Sequence, residues 1–148
     1  MKAIVWVLAA VSVGALLYLG LLLFSSGDVV TSRYATLNEA RADQLFERGW
    51  LPDILPPESH SIRTSNNLDL NTSDGEFSFA SSDYGAFAAQ LRPYAPMRTP
   101  FSNFETEVAE KRADGFHAGV FADEESIWVF FCKPEDGRCD DTMWLQRG

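Results

Sequence analysis

Basic residues are scarce in this chain. It has 12 Lys+Arg against 21 Asp+Glu and a formal net charge of −9. Lys2 is the only charged side chain in residues 1–27, so the remainder holds 11 basic and 21 acidic groups, a net of −10. Such a surface repels phosphate backbones and carries no Lys/Arg stripe to overcome the repulsion, so no nucleic-acid partner is expected. It suits solubility, or a basic partner or substrate. Histidine is equally sparse. His60 and His117 are the only two, so any histidine-based catalytic triad must use one of them. Glycine-rich phosphate loops, nucleophile elbows and His-Glu-x-x-His patterns are absent, which removes the usual warrant for a nucleotide, hydrolase or metalloprotease site. No cofactor or metal site is expected. Internal repeats and low-complexity tracts are missing too.

What the chain does have is one long apolar run. From Ala3 to Phe24 there is no charge, and the polar exceptions are Ser12 and the Tyr18 phenol. Helical residues rise about 1.5 Å each, so this run is long enough for the roughly 30 Å hydrocarbon core of a bilayer. A secretory signal has a shorter core of about 7–15 residues. Residues 1–27 are therefore expected to be a retained transmembrane signal-anchor, although Ser25 and Gly27 ahead of Asp28 leave a cleavage site open. Lys2 and the terminal amine precede the run and Asp28 follows it, which places the N-terminus inside and the rest of the chain outside the cytoplasmic membrane. No cysteine lies near the end of the run to carry a lipid.

Beyond the run, 28–35 reads as a linker and 36–148 as one α+β domain, a size that holds a single core. Thr36 and Glu39 form a capping box and Gly49 a left-handed stop around a first helix. The prolines of the next segment exclude regular helix and stiffen a stretch whose Trp50, Leu51, Ile54 and Leu55 can lie on the core. Ile62–Leu70 and Glu76–Ala80 read as strands joined through Ser73-Asp74-Gly75, with Leu68 and Leu70 on the face of Phe77 and Phe79. A second helix is expected from Asp83 to Leu91, capped by Ser82. Phe104–Ala113 is open between helix and strand. Phe116–Ala122, Ser126–Lys133 and Asp140–Arg147 complete the pattern. The expected fold is an antiparallel sheet of about five strands with two or three helices packed on one face.

Cys132 and Cys139 flank Pro134-Glu135-Asp136-Gly137, a natural hairpin loop that places them directly opposite each other. A disulfide is the favoured reading, and an oxidising compartment outside the membrane supports it. The spacing is not Cys-x-x-Cys and no second pair completes a zinc site. Other polar groupings are compatible with chemistry but read more simply as solvated structure: Ser59-His60-Ser61 in a loop, His117 on a strand, Asp123-Glu124-Glu125 and Asp140-Asp141 at turns or strand starts. The run from Asn66 to Asn71 reads as an outward strand edge, with a ligand-lining face as its alternative.

The stretch Arg48-Gly49-Trp50-Leu51-Pro52-Asp53-Ile54-Leu55-Pro56-Pro57, with Ile62, Asn67-Leu68-Asp69, Phe77 and Phe79, resembles a group of uncharacterised bacterial membrane-anchored or lipoprotein-like domains. Their pattern is a short helix, Gly-Trp-x-Pro-x-x-Leu-Pro, then a hairpin. The resemblance covers about residues 36 to 91 and implies structural roles for Gly49, Trp50, Pro52, Leu55, Pro56, Ile62, Asp69 and Phe77. It also implies a bacterial cell-envelope location, and no activity. The expected function is a non-enzymatic binding or interaction module tethered through Ala3 to Phe24 and meeting an envelope protein partner. The alternatives are an immunity-like protein that neutralises a basic toxin and an envelope hydrolase using His60 or His117.

Overall fold

A computed structural model describes residues 28–146, so the transmembrane expectation for 1–27 lies outside the described residues. No helix among the described residues is long and apolar enough to cross a membrane. The elements run β1 Val29–Thr36, α1 Leu37–Ala42, β2 His60–Asn67, β3 Thr72–Ser78, α2 Tyr84–Ala88, β4 Arg92–Pro93, α3 Phe104–Ala113, β5 His117–Ala122, β6 Ser126–Lys133 and β7 Arg138–Leu145. The strands form one antiparallel sheet in the order β1-β2-β3-β7-β6-β5-β4. It is larger than the five strands expected. The extra two are edge strands with weak signals: β1 buries only Tyr34, and β4 is two residues long and ends in a proline.

Strand β6 shows why the sheet is covered on both sides, not on the single face expected. Its alternate residues Trp128, Phe130 and Cys132 enter one core with Ile62, Phe77, Phe87 and Met143, beneath α1, α2 and the 45–55 segment. Val129 and Phe131 enter a second core with Tyr94, Val120, Trp144 and the α3 residues Phe104 and Val108. A strand buried on both faces is written as a nearly continuous apolar run. In α3 the buried residues are four apart, and acids in its first turn and Lys111 and Arg112 in its last complement the helix dipole, which settles the open assignment of this segment as helix.

The first helix is short, but its start follows the capping pattern. The Glu39 amide donates to Thr36 Oγ1 at 3.2 Å, while the Glu39 carboxylate accepts from the Ala35 amide at 2.7 Å. The helix ends at Ala42 with Asp43 as its C-cap, short of the expected stop; Gly49 takes φ +70° at the end of the turns that follow, where the Trp50 amide donates to the Leu45 carbonyl. Leu51, Pro52, Leu55 and Pro56 are buried. The second helix is shorter than expected: a 3₁₀ turn at Ser81–Asp83 precedes α2, and the Ser82 hydroxyl bonds the Asp83 carboxylate instead of capping.

The β2–β3 turn is displaced from its expected place. It falls at residues 68–71, where the Asn67 side chain accepts from the Leu70 amide at 3.0 Å and Asn71 adopts φ 50°. Leu68 and Leu70 are therefore exposed, not buried with Phe77 and Phe79. Asp74-Gly75 lies inside β3, opposite Ser65-Thr64 and Thr142-Asp141. Gly75 is needed there for close approach: a Cβ would collide with the Asp141 carboxyl. The stretch read as a linker is largely β1, which pairs with the whole of β2.

Candidate functional site

The sheet places the sequence candidates far apart. His60 opens β2, exposed, with Nδ1 3.2 Å from the Glu58 carbonyl oxygen. His117 opens β5, with three strands between it and β2, and its ring is edge-on to Tyr84. Neither ring hydrogen-bonds a carboxylate or hydroxyl among the described residues, and Ser59, beside His60, is buried without a partner for its hydroxyl. In the turn Asp123-Glu124-Glu125 the Asp123 carboxylate accepts from the Glu125 and Ser126 amides, so it shapes the start of β6. No group of three or more His, Cys, Asp or Glu arranged to hold a metal occurs among the described residues.

The Cys132–Cys139 disulfide is present. The cysteines are directly opposite in the β6–β7 register, with Lys133 facing Arg138 and Cα atoms 4.0 Å apart. Gly137 makes the loop possible. It takes φ +59°, and a Cβ there would meet the Phe79 carbonyl at 2.5 Å.

A groove of about 980 Å³ lies on the second face, where α3 steps off the sheet. Asp74 on β3 and Thr142 on β7 form its floor, and the threonine hydroxyl donates to the Asp74 carboxylate at 3.0 Å. Thr106, Glu107 and Glu110 line the helical wall, and Phe101 and Phe104 close one end against Trp144. Partial desolvation in the groove, and then the negative charge of Asp74, push the carboxyl of the exposed Glu107 above its ordinary range; Glu110 and Asp140 add to the repulsion, and Lys111 opposes it. Lys111 is already engaged, because its ammonium bonds Asp140, which also accepts from Arg138. The groove thus presents carboxylates beside the partly exposed Phe101 ring, which gives it a negative potential.

A smaller cavity of about 140 Å³ lies on the first face at the end of the strands. Arg48, Gly49 and Trp50 cover it, with the Arg48 guanidinium stacked 4.2 Å from the Trp50 ring centre. Asn66 and Met143 line it from within. Register places Asn66, Ser73, Met143 and Trp128 side by side across four strands, with Thr64, Gly75, Asp141 and Phe130 in the next row. Asn66 Oδ1, Ser73 Oγ, Trp128 Nε1 and both Asp141 carboxyl oxygens are buried with no partner in the protein. The Asn66–Asn71 run is therefore not an outward edge throughout, since Asn66 faces the core. Asp140-Asp141 is not a solvated pair either: Asp140 is ion-paired and Asp141 fully buried.

Burial, reinforced by Asp74 and Asp140, holds the Asp141 carboxyl well above the carboxylate range. The folded chain then keeps a proton that the unfolded chain releases above about pH 4, so stability falls as pH rises from there toward the folded-state value. Asp141→Asn should abolish that slope. Thermal unfolding from pH 4 to 8 should show the variant gaining on the parent as pH rises, with little difference at the acid end; parallel curves would refute the assignment.

Residues 28–78 match the family model of the YbbD head domain. The matched span runs from the start of β1 through α1, the Gly49–Pro57 segment and the β2–β3 hairpin; the disulfide hairpin and α3 lie beyond it. No curated protein and no solved structure matches the chain.

Proposed function

We propose that the chain is a membrane-tethered domain of the bacterial cell envelope that acts by binding, and that the groove between α3 and β3–β7 receives a basic segment of an envelope protein. The carrying observation is the groove itself: Asp74, Glu107 and Glu110 gathered around an aromatic end, with the neighbouring Lys111 committed to Asp140. The net charge of −10 outside residues 1–27 adds a long-range field that steers a cationic partner. The apolar run and the disulfide pair support a single-pass topology with the domain on the oxidising side.

A photo-crosslinking residue at the exposed Thr106 position, in the full chain in its own membranes, should capture one defined partner. Glu107→Lys with Glu110→Lys should remove the adduct, because both side chains are exposed and their reversal alters the groove without touching a core. Glu124→Lys, in the distant acidic turn, should leave it. An adduct indifferent to the groove reversal would overturn the reading.

The same groove supports a narrower version, an immunity-like protein that neutralises a basic toxin. It requires a toxin gene beside this one and deletion that is lethal only in its presence. An unrelated neighbourhood with harmless deletion would dismiss it.

A further inference from the structure

We infer that the sheet edge where β1 begins rests on the bilayer surface, with Leu68 and Leu70 of the β2–β3 turn in contact with the lipid headgroup region. This rests on the reading above that the apolar run Ala3–Phe24 is retained as an anchor.

The distribution of exposed apolar side chains comes first. The large hydrophobic residues left exposed among the described residues are Val29, Val30, Leu68, Leu70 and Leu145, with Leu68 50% and Leu70 67% accessible. Antiparallel order puts them all at one edge of the sheet: the start of β1, the turn after β2 and the end of β7. The Leu68 amide donates to the Asp28 carbonyl at 2.8 Å, which ties the leucine tip to the point where the chain enters the domain. Scattered exposed leucines need no explanation, whereas a set confined to one edge marks a contact surface.

The leash is the second observation. Because β1 starts at Val29, only Ser25–Asp28 separate the domain from Phe24, and four extended residues reach at most about 14 Å. A linker through residue 35 would allow roughly 38 Å. The opposite edge lies eight residues along β1, roughly 26 Å farther from the anchor point. Strand β1 therefore turns a swivel into a short tether that holds the leucine edge against the membrane.

Charge sets the depth of contact. Asp28 and Asp69 sit at this edge, and Asp123, Glu124 and Glu125 form the turn at its far side, where β5 meets β6. These acids keep the domain at headgroup level, and they disfavour an anionic surface. The contact is made by the β1–β3 side, through a few apolar side chains.

The test uses the full chain, its disulfide intact, reconstituted in phosphatidylcholine vesicles containing a lipid with a spin label at headgroup depth. An environment-sensitive fluorophore is attached at Leu70→Cys or, as control, at Glu58→Cys near the opposite edge. Quenching should be several-fold stronger at position 70, and Leu68→Ser should weaken it. A chain that floats with the vesicles but is quenched equally at both positions would overturn the docked edge while sparing the anchor. A chain that does not float would overturn the anchor and the docked edge together.

Discussion

Phe130→Ala should cost the domain about 3–5 kcal/mol, the range for truncating a fully buried aromatic. Phe130 has no exposed surface and sits in mid-β6, the strand buried on both faces. Its ring meets Phe87 edge-on at 5.2 Å and Phe77 at 6.2 Å, so the substitution strips contacts from the sheet and from α2 together. The cavity cannot collapse easily, because β7 and β5 pin β6 on either side. Most domains have only about 5–15 kcal/mol in total. Urea unfolding should therefore show a midpoint shifted far down with an unchanged slope. A loss below about 1 kcal/mol, a level typical of surface substitutions and small rearrangements, would contradict this packing.

Removing the disulfide should be the next largest loss. Cys132→Ala with Cys139→Ala is expected to cost about 2–3 kcal/mol, at the low end for a disulfide because the loop it closes is short. Both cysteines lie in the first core, so their sulfurs also fill space there. The control is internal: the parent chain under reductant should lose a similar amount, while the double variant should not respond to reductant. An equally stable reduced parent would show that the hairpin register alone, with Gly137 at its left-handed turn, holds β6 to β7.

Those two features were also the most legible. A six-residue apolar run, Ile127–Cys132, defines β6, and the Pro134–Gly137 loop fixes the register that faces Cys132 with Cys139. The Thr36 cap on the Glu39 amide is local chemistry, and it holds; Gly49 takes its positive φ, but the helix ends at Ala42, before it. Errors arose where tertiary contacts outweighed local signals. Asp74-Gly75 is the strongest turn dipeptide in its region, yet its glycine makes room for the Asp141 carboxyl across the strand. Nothing near Asp141 in sequence announces that burial. Strand β1 was hidden because an edge strand with one buried side chain has almost no apolar alternation. The groove was illegible for a different reason: Asp74, Phe101, Glu107 and Thr142 come from four separate segments, and only the β3–β7 pairing under α3 assembles them.

The functional reading requires that the domain face the outside of the cytoplasmic membrane, and accessibility of the exposed turn residue Glu124 tests this directly. With Glu124→Cys in the full chain, a membrane-impermeant maleimide should label intact spheroplasts as completely as lysed ones. Labelling that appears only after lysis would place the domain in the cytoplasm and contradict both the tethered topology and the envelope partner.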